Sequence, residues 1–148
     1  MSVSLEKSFA TIYTKFKLHF YQTISKRKTV DASLTIFEVF CMEGILALEE
    51  PTIAQFGRLM NLSTPNAAYK VNNLVKKGYV ERVQSQTDKR EYHLKPTQKY
   101  LDEYNVSYSY LDTVIARARE HFSEEELEKF AQMLEFIGNE LMPEGDVE

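Results

Sequence analysis

Cysteine is nearly absent from this sequence: its 148 residues hold one, Cys41. A single thiol excludes an internal disulfide framework and fits a reducing, cytoplasmic setting. Long apolar runs are missing as well. None approaches the roughly 20 residues that a membrane span needs, and the opening stretch "MSVSLEKSFATIYTKF" lacks the apolar core of a signal peptide. No membrane association is expected. The short motifs of enzymes are absent too: there is no P-loop, no G-x-G-x-x-G, no H-E-x-x-H and no C-x-x-C. The carboxylates of "EEELE" (Glu124–Glu128) fall in the first turns of a helix, where the macrodipole already favours them. Neither catalysis nor a cofactor is expected. The histidines are His19, His93 and His121, and none stands at ligand spacing from another or from Cys41, so no metal site is expected.

What the chain does have is an uneven charge. The net value is −4, yet residues 1–50 balance six cations against six anions. Residues 51–100 carry nine Lys/Arg against three Asp/Glu, and residues 101–148 carry three against thirteen. A basic middle and an acidic end imply two regions with different partners.

Hydrophobic periodicity and caps divide the chain. Leu5, Phe9, Ile12, Phe16 and Phe20 recur at helical steps and predict an N-terminal helix, ending in a basic connector at Ser25–Asp31. Ser33 is the expected N-cap of a second helix with Leu34, Phe37, Phe40 and Cys41 inward. Gly44 is a candidate stop, unless the apolar run Ile45–Leu48 prolongs the helix. Thr52 and Gln55 form a capping box for a short third helix with Ile53, Phe56 and Leu59 inside. Ser63 caps a fourth, with Pro65 in its first turn, an inner face of Ala67, Val71 and Leu74, and Gly78 as its stop. Two β-like runs, Tyr79–Val83 and Glu91–Leu94, flank the glycine-free finger "SQTDKR". Thr97 is the expected cap of a long helix whose seam is Leu101, Tyr104, Tyr108, Leu111, Ile115 and Ala118. Ser123 and Glu126 open a last helix striped with Leu127, Phe130, Leu134, Ile137 and Leu141, before a tail, "PEGDVE", expected to be disordered.

Short helices followed by a two-stranded ribbon with a long tip read as a winged helix-turn-helix, in a mainly α chain with one small β-ribbon. A major groove about 12 Å wide admits one helix, presented N-terminus first across a tight turn by a supporting helix. Thr52–Met60 is the support and Ser63–Lys77 the inserted helix. Ser63 caps its N-terminus, which favours a phosphate; Thr64, Pro65, Asn66, Tyr69, Lys70 and Asn73 point outward. Asn66 suits an adenine edge, Thr64 and Pro65 thymine methyls, and Lys70 guanine or phosphate. At the finger, Arg90 and Lys89 suit a narrow minor groove, with Asp88 as a brace. The expected divisions are 1–32 as a dimerisation helix and connector, 33–96 as the DNA-binding domain, and 97–148 as dimerisation helices and tail.

The stretch from Thr52 to Thr97, with "T-I-A-x-F", "L-x-L-S", "N-x-L-V-x-x-G-Y-V-x-R", "D-x-R" and "L-K-P-T", resembles the core of the multiple-antibiotic-resistance regulator (MarR) family. The resemblance implies a homodimeric bacterial transcription regulator on pseudo-palindromic double-stranded DNA, with the terminal helices as the dimer interface; repression is expected over activation, with no residue that decides between them. Leu5, Phe9, Ile12, Leu111, Ile115, Leu127, Phe130, Leu134, Ile137 and Leu141 are the candidates for that interface. The resemblance also gives Arg90 to the minor groove and makes Asp88 its orienting partner. The chain departs from the family in one respect: its recognition helix holds no arginine, offering Tyr69 and Lys70 instead.

Three other readings compete. Metal sensing has no ligand spacing behind it. Thiol sensing has only Cys41, placed inside a helix rather than near the N-terminus where the family's sensing cysteine lies. A winged module for protein or RNA would share the fold without the duplex. For regulation, Tyr13, Phe16, Tyr21, Phe37 and Tyr110 are candidates to line a pocket for a small apolar or aromatic effector, although aromatic stripes are usually core.

Overall fold

The computed structural model describes residues 2–30, 33–104 and 107–147, and of residues 27–30 and 107 the backbone alone. Among the described residues there are seven α-helices and one two-stranded antiparallel ribbon. The chain divides into two compact units: Met1–Lys26 with Val106–Asp146, and Arg27–Asn105 with Val147–Glu148.

The second unit is the winged one. It contains α2 (Ile36–Ala47), α3 (Ile53–Met60), α4 (Thr64–Lys76), β1 (Val80–Gln84), β2 (Tyr92–Pro96) and α5 (Gln98–Tyr104). Its fully buried side chains include Met42 and Ile45 from α2, Phe56 from α3, Val71 and Leu74 from α4, Tyr79, Leu94 from β2 and Tyr100 from α5. Burial of each large side chain contributes about 1.5–3 kcal/mol, so this small core holds all six elements. The strands pair from Val80↔Pro96 to Gln84↔Tyr92. An isolated bridge between Thr52 and His93, with Leu94 N–H donating to the Pro51 carbonyl at 2.7 Å, stitches the segment before α3 to β2.

Local chemistry explains most boundaries. Thr52 and Gln55 form the expected capping box at α3, and Ser63 accepts from the Asn66 amide at the start of α4, with proline in the first turn. The end of α4 is a Schellman motif: Gly78 N–H donates to Val75 O, Tyr79 N–H to Leu74 O, and Gly78 takes φ 83°.

Several expectations need correction. The cap of α2 is Thr35, in a box with Glu38, not Ser33. The Ser33 hydroxyl is engaged elsewhere: it lies 2.5 Å from Tyr79 OH and 3.2 Å from Tyr104 OH. Leu34 and Cys41 are buried as expected, but Phe37 and Phe40 are exposed, and Val39, Met42 and Ile45 are buried in their place. The helix is apolar nearly all round, so periodicity could not select its inner face. Leu59, expected inside, is 40% exposed. Of the two ends expected for α2, the structure takes the longer: the helix passes Gly44, runs to Ala47 and turns through Glu49 and Glu50, both at positive φ.

The first unit holds most of α1 (Leu5–Val30), with α6 (Ser107–His121) and α7 (Glu124–Glu140). The helix α1 continues through the expected basic connector to Val30, because nothing from Ser25 to Val30 breaks a helix; Asp31 lies outside the described residues. The expected long helix after Thr97 is two helices, α5 and α6, and Asn105 and Val106 between them lie outside the described residues. Thr97 donates its hydroxyl to the Gly78 carbonyl at 2.6 Å. Ser123 and Glu126 form the expected capping box at α7. The tail contains a 3-10 turn at Pro143–Gly145 where disorder was expected.

Candidate nucleic-acid interface

The interface begins with the turn between α3 and α4. Asn61 adopts the left-handed conformation (φ 55°, ψ 46°) that asparagine tolerates better than most residues. Leu62 N–H then donates to Gly57 O at 2.8 Å. A Cβ on Gly57 would stand 3.2 Å from Leu62 O and 3.3 Å from Ala67 Cβ. The missing side chain therefore lets α4 approach α3 closely.

This turn presents the start of α4 outward. Thr64, Pro65, Asn66 and Tyr69 are exposed, as is the cap Ser63, while Lys70 and Asn73 are partly buried. The Lys70 ammonium lies 5.0 Å from the centre of the Phe37 ring, a cation–π contact that holds it on the α2 flank of the helix.

The wing tip is built by its own hydrogen bonds. Ser85 N–H donates to Glu91 O at 2.9 Å, and Glu91 N–H to Asp88 O at 3.0 Å. The Ser85 hydroxyl accepts from the Thr87 and Asp88 amides, each at 3.3 Å. Asp88 Oδ1 accepts from Arg90 N–H at 3.0 Å and from Arg90 Nε at 3.3 Å. The Arg90 amide first, then its guanidinium, hold the Asp88 carboxyl below its ordinary range. Arg90's side chain is 91% exposed, so the brace aims it without covering it. Lys89 is exposed beside it. A charged finger without glycine is thus a closed, self-bonded turn.

Two contributors were missed. Arg82 Nη2, on β1, donates to Asn72 Oδ1 on α4. Gln84 Nε2 donates to Lys89 O at 2.7 Å. The available signal was the two-residue alternation of β1, which sets Val80, Arg82 and Gln84 on one face.

Behind the interface lies a tyrosine cluster. Tyr79 OH donates to Glu103 Oε2 at 2.7 Å, so Ser33 must donate to Tyr79, and Tyr104 to Ser33. Burial first, and Glu103 with it, push the Tyr79 hydroxyl up to about 12, against the Ser33 bond. Rings of Tyr79, Tyr100 and Tyr104 meet edge-on or stacked at 5.5–6.3 Å. Lys77 Nζ donates to Ser33 O at 3.1 Å and to Glu38 Oε1 at 2.9 Å. Burial resists ionisation of Glu38, but the bonds from Lys77 and Thr35 prevail and lower its pKa.

Cys41 is buried, and burial, only partly offset by Lys70, pushes its thiol up to about 11. The described residues contain no group of three or more His, Cys, Asp or Glu able to hold a metal. His93 Nδ1 lies 2.8 Å from Glu50 O, and His19 stacks on Tyr110 at 3.8 Å. Of the aromatic residues considered for an effector, Phe16 meets Tyr110 edge-on at 5.4 Å, Tyr13 lies beneath Lys17, and Tyr21 touches Phe20. Among the described residues no helix is long and apolar enough to cross a membrane.

The residues expected at a dimer seam all belong to the first unit. Leu5, Phe9, Ile12, Leu111, Ile115, Phe130, Leu134 and Leu141 are exposed, and Leu127 and Ile137 are partly so. Ile115, Leu127, Phe130 and Leu134 come together around one open groove between α6 and α7.

Comparison with known proteins agrees with this geometry. Residues 44–91, from α2 to the wing tip, match the model of the MarR family. No curated protein matches the chain. Among solved structures, the chain is similar to Streptococcus pneumoniae FabT in complex with DNA (20% identity, TM-score 0.56, 94% of this chain and 96% of that one covered). It is also similar to a MepR mutant from a multidrug-resistant S. aureus clinical isolate (17% identity, TM-score 0.60, coverage 95% and 99%). A third is the transcriptional regulator Tm0710 from Thermotoga maritima (16% identity, TM-score 0.55, coverage 94% and 94%). At such identities the likeness is one of fold. With the segment that matches the MarR family spanning the helix-turn-helix and the wing, and the fold of these solved structures around it, this chain has a MarR-like winged helix-turn-helix fold.

Proposed function

We propose that this protein is a cytoplasmic, homodimeric repressor that binds a pseudo-palindromic operator in double-stranded DNA. The start of α4 enters the major groove and the wing enters the minor groove. One observation carries the reading: a capped helix N-terminus exposes Thr64, Pro65 and Asn66, and in the same unit Asp88 aims a solvent-exposed Arg90. The similar FabT is described in complex with DNA, and a second S. aureus MepR mutant (18% identity, TM-score 0.50, coverage 95% and 99%) as bound to an oligodeoxyribonucleotide, which supports a duplex partner. Division of labour follows the chain: 33–96 binds DNA, while 1–32 and 97–148 carry dimerisation. A small apolar or aromatic effector is the proposed releasing signal.

Binding to duplex DNA should fall steeply with salt. Arg90→Ala should weaken it on every sequence and reduce the salt slope by about one. Asn66→Ala should cost about 1–3 kcal/mol on the cognate site and little elsewhere. The operator is expected upstream of the protein's own gene or a divergent neighbour, with half-sites about one helical turn apart. Binding that neither substitution changes would rule out this mode.

A further inference from the structure

One face of the wing carries a row of polar contacts that connects the recognition helix to the tip. Alternation along β1 puts Val80, Arg82 and Gln84 on that face. Val80 is buried in the core and roots the ribbon. Two residues outward, Arg82 reaches across to Asn72 on α4. Two further, Gln84 reaches the Lys89 carbonyl, next to the Arg90 amide that Asp88 holds. Beyond Leu94 and Val80 the ribbon is largely exposed, and a two-stranded ribbon is marginal by itself. The pose of its tip relative to α4 therefore depends on few contacts, and the Arg82–Asn72 bond joins the two directly.

We propose that Arg82 is a positioning residue for DNA binding. Through Asn72 it locks the wing to the recognition helix, so Arg90 meets the minor groove in an already ordered tip. This rests on the DNA-binding reading above. The cationic Arg82 has an obvious competing role as a direct phosphate contact, and the two roles predict different couplings. If Arg82 positions, deleting it makes the tip pay an ordering cost that matters only while Arg90 is present. If Arg82 touches phosphate, its loss multiplies with that of Arg90.

The test is a double-mutant cycle on the full-length protein with a duplex that the wild type binds. Arg82→Ala and Asn72→Ala should each weaken binding, by about tenfold at most. Each should add little when combined with Arg90→Ala. Asn72→Ala removes no charge and should leave the salt slope unchanged. Without DNA, Asn72→Ala should speed amide hydrogen exchange at residues 85–91 by severalfold while the amides of α3 keep their protection. Both replaced side chains lie outside the buried core, and far-UV circular dichroism checks that the fold persists. Losses that multiply, an Asn72→Ala variant that binds and exchanges as the wild type does, or a salt slope that falls by one with Arg82→Ala alone would each overturn the inference. A wild type without affinity for any duplex would instead overturn the DNA-binding reading on which it rests.

Discussion

Asp88 is an anion in a position proposed to approach phosphates, and by charge alone its removal should help. The brace reverses that expectation. Asp88→Ala should weaken duplex binding, because Arg90 loses the bonds that aim it; tighter binding in a filter or anisotropy assay would dismiss the brace. Its acid response follows from the same bonds. The carboxyl titrates below the value of about 3.9 that an aspartate has in an unfolded chain, so the brace is fully present above that unfolded value. It is lost as the pH falls through the lower folded value. The Arg90 amide resonance should therefore hold steady from neutral pH to about pH 5 and move only in stronger acid. Asp88 and Arg90 were legible because two residues apart on a hairpin tip is a local relation. Arg82 and Asn72 were not paired, because their contact joins two elements and no spacing rule links a strand position to a helix face.

The elements were readable where their ends are closed by neighbours in sequence. Thr52 with Gln55, Ser63 with the Asn66 amide, and Ser123 with Glu126 all operate within one turn, and Gly78 ends α4 by its own conformation. Ser33 failed as a cap because its hydroxyl serves Tyr79 and Tyr104, 46 and 71 residues away, leaving Thr35 to close the helix. The face of α2 was illegible for a different reason, its nearly unbroken apolar surface. Close packing of α3 on α4 also has a local mark, Gly57, whose meaning appears only with Leu62 O and Ala67 beside it. Gly57→Val should overpack this junction and lower stability by about 1–3 kcal/mol. The measurement is urea denaturation, and a midpoint equal to or above that of the wild type would show that α4 can withdraw without cost.

At the scale of the molecule, charge and apolar surface divide along the chain. The basic middle segment coincides with α3, α4 and the wing, and the acidic segment with α6 and α7. Eight apolar side chains proposed for dimerisation are exposed in a single chain, as the proposed dimer requires. Gel filtration should give twice the 17.2 kDa chain mass, and Phe130→Asp should halve it. A wild type that elutes as a monomer would remove the dimer. The tyrosine cluster has a separate practical consequence. The chain has no tryptophan, and among its nine tyrosines Tyr79, Tyr100 and Tyr104 are the buried ones within the described residues, fixed ring against ring. Near-ultraviolet optical activity comes from aromatic chromophores held in one asymmetric arrangement, so these three should dominate the band near 280 nm. They all belong to the winged unit. That band is an intrinsic, label-free reporter of this unit, able to register its melting while far-ultraviolet ellipticity follows the helices of both, and Tyr104→Leu should remove much of it.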